Sequence, residues 1–273
     1  MKKISLLLKM PSQERVLLEQ MIELLLEEKG ETPVYPVQSL EEGQLLAVWR
    51  GLVNQRQPGQ LRAAYLEAEA AFLNSYHRRH QVSMTACQPT KHRGIYLYLG
   101  DLCHLQVDGV VNAANSQMLG CFIPHHACLD NALHTFAGIE LREECAKMMA
   151  AAGRPEPVGQ VRVTSAYHLP ATYLFHTVGP VIPKGKSVSP IRRQLLAQCY
   201  LSCLDQALVR GLSSLAFPAL STGEFGYPKE EAAEVAISTV LRWLEEHDYP
   251  LDIIFSTFTE EDRIFYENQL RES

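Results

Sequence analysis

The chain has 273 residues, of which 47% are hydrophobic and 21% charged, the ordinary composition of a soluble globular protein. Its 25 basic and 31 acidic side chains give a net charge of −6, which argues against a general nucleic-acid binder because no basic face dominates the composition. The length suffices for one large domain, or for one domain with an appendage.

The chain starts with a short apolar run at residues 4–8 that Lys9 interrupts, and no small-residue cleavage site follows it. A secretory signal peptide has a longer apolar run and such a site, and no apolar run reaches the ~20 residues of a membrane span. The seven cysteines are odd in number and irregularly spaced, unlike those of a disulfide framework. We therefore expect a cytoplasmic protein with reduced thiols and without membrane or nucleic-acid partners.

Residues 1–89 are predicted to form an N-terminal helical extension. A first helix is expected to begin at Ser12 and to end near Gly30, a second has Trp49 on its apolar face, and Pro58 begins a third. The polar stretch HQVSMTACQPTKHR then connects the extension to the rest of the chain. The extension either forms a lid or partner surface or covers one edge of a sheet.

From residue 90 to residue 273, short strands alternate with helices, which predicts an α/β fold with a mixed, mainly parallel sheet between helices. The strand candidates are IYLYLG, GVVNAA, QVRVTSAY, YLFHTVG, SLAFPAL and LDIIFSTF. Helices are predicted over residues 130–152, 191–210, 229–246 and 260–270. Because such sheets bind ligands at the carboxyl ends of their strands, the loops that follow strands are where a site is expected.

Two of these loops have residues that suit a ligand. In LGDLCHLQVDGVVNAANSQMLG, Asp101 follows one strand, and Asn112 and Asn115 lie at the end of the next. In FPALSTGEFGYP, residues 221–226 lie between a strand and a helix. Glycines there permit close backbone approach, and free N–H groups before a helix attract an anion. This pattern favours a phosphate or pyrophosphate, although similar turns also occur without a ligand.

The stretch GCFIPHHACLDNALH contains a C-x4-H-x-C set, Cys121, His126 and Cys128. Thiolate and imidazole are the ligands that zinc prefers, although iron and nickel stay open as alternatives. Each residue alone would more often be a buried cysteine or a loop histidine, but the three together favour a metal. A fourth ligand, His134, would point about 120° away from Cys128 on a continuous helix. Three ligands with one open position indicate a catalytic zinc site.

Taken together, GDLCHLQVDGVVNAAN, FPALSTGEFGYP and DIIFSTFTEEDRIFYENQL resemble, in order and spacing, the MacroD-type branch of the macrodomain family, which binds ADP-ribose. The resemblance covers residues 90–273, so a macrodomain-like three-layer fold is expected there. GCFIPHHAC stands where MacroD-type hydrolases have a glycine-rich segment, and this replacement resembles the zinc-dependent macrodomains. Those are mainly microbial enzymes, often encoded beside a sirtuin-type ADP-ribosyltransferase and lipoate-handling proteins, and the helical extension resembles that subgroup as well.

The resemblance implies a zinc-dependent hydrolase that removes mono-ADP-ribose from acidic or ester-type linkages of a modified protein, with a lipoylated carrier protein among the candidate substrates. Asp130 would be catalytic near the distal ribose, would cap the following helix, or would do both. Asp101 would accept a hydrogen bond from the adenine amino group, or only stabilise a turn. The other ligand-binding residues that the resemblance implies are Leu102, Asn112, Asn115, His134, Ser221, Thr222, Gly223, Glu224, Phe225, Gly226, Tyr227 and Phe258.

Several of these residues have a second interpretation. Asn112 and Asn115 would bind ribose hydroxyls or satisfy the loop backbone, His134 would position ribose or diphosphate or would pack, and Phe258 would stack on adenine or join the core. Two other functions also fit the sequence: an ADP-ribose reader with a structural zinc, and an O-acetyl-ADP-ribose deacetylase.

Overall fold

The computed structural model describes residues 10–33 and 36–273. The apolar run at residues 4–8 and Lys9, on which the prediction about a signal peptide depends, lie outside the described residues. Within the two described segments, no helix has both the length and the apolar character needed to cross a membrane.

Three helices begin the described chain, as predicted. They are α1 (Ser12–Lys29), α2 (Glu42–Gln55) and α3 (Ala63–His80). The expected start of the third helix at Pro58 is wrong, because Pro58 lies in the connection between α2 and α3. There the Arg56 guanidinium donates to the carbonyls of Gln57 and Gln60, so a side chain binds these carbonyls in place of the backbone N–H groups of a helix.

The six predicted strands are confirmed, and they alternate with helices. In chain order the remaining elements are β1 (Val82–Ser83), β2 (Gln88–Pro89), β3 (Ile95–Leu99), β4 (Leu105–Ala114), α4 (Leu129–Ala137), α5 (Ile139–Ala152), β5 (Val161–Ser165), β6 (Ala171–Val178), α6 (Pro190–Val209), β7 (Ser214–Pro218), α7 (Lys229–His247), β8 (Asp252–Thr257) and α8 (Glu260–Glu272). The two shortest strands lie in the stretch predicted to be a polar connection. The single helix predicted over residues 130–152 is two helices, because Gly138, with φ 100°, separates α4 from α5.

The strands form one mixed, mainly parallel sheet in the order β2-β3-β8-β7-β4-β6-β5, with β1 beside the start of β4. The five strands from β3 to β6 in this order are parallel, and β2 and β5 are antiparallel to their neighbours. Gly109 lies in the middle of β4, where a Cβ would be 2.8 Å from side-chain atoms of Leu215 and Phe175. The parallel pairing brings the carboxyl ends of the five strands to one edge.

Successive residues of the strands point to opposite faces of the sheet, and each face has its own core. Val110 of β4 belongs to a buried cluster with side chains of α1 to α5. Its neighbour Val111 belongs to a second cluster with side chains of α6, α7 and α8. The N-terminal helices contact α4, since the rings of Trp49 and Tyr76 lie 6.4 and 5.1 Å from that of Phe136. The helices before residue 90 therefore share a core with the sheet.

A buried carboxylate connects α3 to α5. The hydroxyl of Tyr65 donates to one oxygen of Glu69 at 3.0 Å, and the backbone N–H of Ile139 donates to the other at 3.0 Å. Gly138 makes this approach feasible, because a Cβ there would lie 2.9 Å from Glu69 Oε2. Glu69 is fully buried, and burial raises its pKa from 4.5 to about 7. The first N–H of α5 is thus bound by a side chain of the N-terminal helices.

Replacing Glu69 by glutamine is expected to remove part of the pH dependence of stability. Between pH 4.5 and about 7 the folded chain holds a proton on Glu69 that the unfolded chain has released. The free energy of unfolding of the parent protein therefore falls as the pH rises through this interval, by about 3 kcal/mol from this one group. Urea unfolding at about pH 5 and about pH 8 should find that Glu69→Gln loses less stability than the parent protein does.

The matched control is Glu67→Gln, an exposed glutamate on the same helix. It should follow the parent protein at both pH values. If Glu69→Gln also follows the parent protein, Glu69 does not titrate in this interval.

Candidate functional site

An aspartate is held at the carboxyl edge of the sheet by two amides from the end of β4. Asn112 Nδ2 donates to Asp130 Oδ1 at 2.8 Å, and Asn115 Nδ2 donates to Asp130 Oδ2 at 3.1 Å. Burial raises the pKa of Asp130 to about 6, and the two amide donors counteract that rise. Asn115 also donates to the carbonyl of Gly120 at 3.0 Å. The sequence predicted all three side chains as site residues, and the structure brings them together.

Asp130 is not the N-cap of a helix, so that alternative is wrong. Helix α4 begins at Leu129, and Cys128 is its N-cap, because the Cys128 Sγ accepts the backbone N–H of Asn131 at 3.4 Å. Asp130 lies in the first turn and is only 6% exposed. Its carboxylate is therefore turned inward to the asparagines, at a helix end that favours negative charge.

The segment of residues 120–128, which we call the Cys–His loop, brings three candidate metal ligands together. One ligand atom each from Cys121, His126 and Cys128 lies within 4.8 Å of the others. Cys121 Sγ is 3.6 Å from His126 Nδ1, so this ring nitrogen faces the sulfur. All three side chains are partly exposed. Two sulfurs and an imidazole at this separation fit a zinc ion with three protein ligands.

His134 belongs to a different group. It lies with Cys145 and His176 in a second set of candidate ligands, and all three are buried. Both ring nitrogens of His176 already have hydrogen-bond partners, which favours packing over metal binding there. His134 has no such partner among the described residues, its Nε2 is 3.6 Å from Asp130 Oδ1, and burial holds its pKa well below the ordinary value. The neutral imidazole therefore lies beside Asp130, and it is not one of the three candidate ligands of the Cys–His loop.

The loop between β7 and α7, residues 221–227, has an open row of backbone donors, and we call it the glycine loop. Ser221 and Gly226 have φ values of 66° and 65°, and Tyr227 N–H closes the loop on the Ser221 carbonyl at 3.0 Å. A Cβ at Gly179 would lie 1.9 Å from Ser221 Oγ and 3.3 Å from Ser221 Cβ, so a side chain there would force Ser221 to move. Among the described residues, no acceptor binds the N–H groups of Thr222, Gly223, Glu224 and Phe225. Such a row suits an anion.

Glu224 connects the glycine loop to the Cys–His loop. Its side chain is 77% exposed, and its Oε1 lies 3.6 Å from His126 Nε2. The other ring nitrogen of His126 faces Cys121. A carboxylate beside the second nitrogen of a histidine is a common arrangement around metal ligands, where it sets the orientation of the ring.

Asp101 lies directly after β3, and one of its oxygens is already used. Oδ1 accepts the backbone N–H of Cys103 at 2.9 Å, so Asp101 caps the short 3-10 helix Leu102–His104. Oδ2 is 3.9 Å from His104 Nε2. Leu102 is buried behind it. The turn interpretation of Asp101 is therefore confirmed, and Oδ2 is not used by that cap.

The predicted aromatic residues differ in exposure. Phe258, after β8, is 78% exposed, so the alternative that it joins the core is wrong. Phe225, in the glycine loop, is half-buried against the small cluster that includes Met118. Tyr227 is buried in the core beside α6 and α7, so its ring is part of the scaffold under the loop.

Sequence reasoning missed three residues that contact the Cys–His loop from outside it. Arg50 and Asn54 of α2 bind the backbone of this loop, and Arg142 of α5 donates to the Leu119 carbonyl just before it, at 2.9 Å. Arg50 and Asn54 lie four positions apart on α2, about 100° and 140° around the helix from Trp49, so the apolar pattern that located α2 does not single them out. These three residues bind backbone groups that are distant from them in the sequence, and a local pattern does not predict such contacts.

Comparisons with known proteins show which family and which structures this chain is similar to. The Macro domain family model matches residues 111–236. A Staphylococcus aureus protein named protein-ADP-ribose hydrolase is 39% identical over 249 residues, which cover 91% of this chain and 93% of that protein. The structure of the Oceanobacillus iheyensis macrodomain with ADP is 34% identical, has a TM-score of 0.61 and covers 68% of this chain and 94% of its own. The Trypanosoma brucei macrodomain in complex with ADP-ribose is 28% identical, has a TM-score of 0.60 and covers 95% of this chain and 96% of its own.

Proposed function

The chain belongs to the Macro domain family, and we propose that it is a zinc-dependent hydrolase that removes mono-ADP-ribose from modified proteins. Removal of ADP-ribose is supported by the Staphylococcus aureus relative, whose name states that activity. Zinc dependence is supported by one observation: two cysteine sulfurs and one imidazole lie close together in the Cys–His loop. This loop leads directly into the helix turn that presents Asp130.

ADP-ribose would lie along the carboxyl edge of the sheet. The unbound N–H groups of the glycine loop would donate to its diphosphate, because consecutive backbone amides before a helix form an anion site. Asp101 Oδ2 would accept a hydrogen bond from the adenine amino group, and the exposed ring of Phe258 would stack on adenine. This order would bring the distal ribose toward Asp130.

Cys121, His126 and Cys128 would hold the zinc ion, which when bound supplies a Lewis acid for a ribose oxygen or for water. Asp130, fixed by two amide hydrogens, would orient the attacking water and accept its proton. Water adds across the bond between the ribose and an acidic side chain, so the products are ADP-ribose and a free carboxylic acid. Glu224 would accept a hydrogen bond from the Nε2–H of His126 and so keep Nδ1 turned toward the sulfurs.

We propose acidic, ester-type linkages as substrates and the cytoplasm as the location. A mono-ADP-ribosylated lipoylated carrier protein is the first substrate to test, because the sequence resembles the zinc-dependent, sirtuin-linked subgroup. An ADP-ribose reader and an O-acetyl-ADP-ribose deacetylase would use the same binding residues, and substrate panels separate them from a protein hydrolase.

A chelator is expected to abolish release of ADP-ribose from a mono-ADP-ribosylated protein, and added zinc is expected to restore it. The reason is that metal binding and its chemistry depend on Cys121, His126 and Cys128 together. Release is measured by chromatography, and circular dichroism checks that the fold survives the chelator.

Cys121→Ser should behave as the chelated protein does, and Cys87→Ser, at a buried cysteine outside the Cys–His loop, should behave as the parent protein does. Release that is indifferent to chelation would contradict zinc dependence. Binding of ADP-ribose without release would identify a reader, and release only from O-acetyl-ADP-ribose would identify the deacetylase.

Asp130→Ala is expected to lower turnover by about 10²-fold or more, because the variant lacks the group that orients water. ADP-ribose affinity should stay near that of the parent protein, since the glycine loop is not changed. Turnover is compared at full zinc loading, because Asp130 also ties the Cys128 end of the Cys–His loop to β4. Single-turnover kinetics and calorimetry measure the two quantities. Turnover close to that of the parent protein would remove Asp130 from the mechanism.

Gly179→Ala is expected to weaken ADP-ribose binding about tenfold or more, since the new Cβ would force Ser221, the residue before the amide row, to move. Zinc content should not change. Gly43→Ala is the matched control, because a Cβ there meets nothing within 4 Å. Equal affinity of the two variants for ADP-ribose would mean that the glycine loop does not bind the diphosphate.

A further inference from the structure

Helix α2 contacts the Cys–His loop through a fully buried asparagine that the proposed mechanism does not use. Asn54 Oδ1 accepts the backbone N–H of His125 at 3.1 Å, and its Nδ2 donates to Thr135 Oγ1 at 2.9 Å. Thr135 in turn donates to the Asn131 carbonyl in α4 at 2.7 Å. One side chain of α2 therefore binds both the Cys–His loop and the helix that follows it.

The residue that Asn54 binds has an uncommon backbone conformation. His125 has a φ of 58°, in the left-handed region that residues other than glycine adopt rarely and at some cost. It directly precedes the candidate ligand His126. Its imidazole lies against α2, where a Cβ at Gly51 would be 3.1 Å from His125 Nε2. The Cys–His loop is thus held in this conformation by contacts from α2.

A second side chain of α2 acts on the loop through an asparagine of α4. Arg50 Nη2 donates to Asn131 Oδ1 at 2.7 Å and to the His126 carbonyl at 3.3 Å. The Nδ2 of Asn131 donates to the Cys121 carbonyl at 3.3 Å, and its backbone N–H donates to Cys128 Sγ at 3.4 Å. Asn131 is fully buried. Arg50 therefore fixes the side chain of a residue that contacts both cysteine ligands, Cys121 through its side-chain amide and Cys128 through its backbone N–H.

The end of α2 is held against the start of the same loop. Arg142 Nη1 donates to the carbonyls of Val53, Asn54 and Arg56, at 2.9, 3.2 and 2.6 Å. Its Nε donates to the Leu119 carbonyl at 2.9 Å. This buried guanidinium binds carbonyls at and just after the end of α2, where a helix runs out of intrahelical donors for its last carbonyls. The position of α2 and the position of the loop are thereby coupled.

We propose that Arg50 and Asn54 are positioning residues of the zinc site: they hold Cys121, His126 and Cys128 in a binding geometry before an ion arrives. The N-terminal helices would then be part of the metal centre. The inference rests on the zinc site proposed above. Residues that orient metal ligands without touching the metal contribute about 10- to 100-fold to metal affinity, and a loss of that size is expected here.

The test is the zinc affinity of the full-length variants Arg50→Ala and Asn54→Ala, measured in competition with a chromophoric chelator. Both should bind zinc about 10- to 100-fold more weakly than the parent protein. Arg50→Lys, which keeps a donor, should recover part of the loss. In the Co2+-loaded variants, the sulfur-to-metal absorption band should be weaker or shifted, a change that a general loss of stability would not produce.

Two control variants match these residues in type. Gln55→Ala removes an exposed amide of α2 whose one partner among the described residues is the carbonyl of Gly51, and Arg15→Ala removes an arginine that binds Gln38, Leu40 and Glu19. Both should bind zinc as the parent protein does. ADP-ribose affinity, measured without metal, should be unchanged in every variant that folds. Because Arg50 is partly exposed, its variant keeps the test decisive if Asn54→Ala does not fold.

The outcomes separate the two proposals. If the parent protein binds zinc through Cys121 but Arg50→Ala and Asn54→Ala bind it equally well, the positioning role is overturned and the zinc site stands. If the parent protein binds no zinc, or Cys121→Ser binds it as tightly, both proposals fall. Weaker zinc binding together with weaker ADP-ribose binding would mean general damage to the fold, and would also overturn the positioning role.

Discussion

Two amide hydrogens at the end of β4 hold the carboxylate of Asp130, and the geometry of the site depends on this contact. Asp130 lies in the first turn of α4, so fixing its side chain fixes the start of that helix and the Cys128 cap before it. Asn115 also binds the Gly120 carbonyl, at the beginning of the Cys–His loop. Both ends of the loop are therefore tied to one strand, whose own place in the sheet depends on Gly109.

Much of the fold was predictable because its information is local. Strands β3 to β8 have short apolar sequences, and the N-terminal helices have apolar stripes, so periodicity alone located them. The separation of α4 from α5 was missed, because an isolated glycine in a helical pattern does not by itself predict the end of a helix. Gly138 ends a helix here for a long-range reason: the carboxylate of Glu69, from α3, binds the first amide of α5.

The candidate site was predictable where its residues lie close together in the sequence. The spacing of Cys121, His126 and Cys128 within one loop predicted a group that the structure brings together. A cap at α4 was one of the two interpretations of Asp130, because aspartate is a common cap, and the sulfur of Cys128 takes that position instead. The contacts of α2 with the loop join residues more than seventy positions apart, and no pattern within either segment encodes that distance.

The packing of the N-terminal helices on α4 has a practical consequence for truncation. A fragment that starts at residue 90 would uncover the ring of Phe136 and the apolar surface that Trp49 and Tyr76 now cover. Exposed apolar surface of this kind promotes self-association. An inactive or aggregating fragment would therefore report on its uncovered surface, and point substitutions in the intact chain are the sounder way to assign roles to these helices.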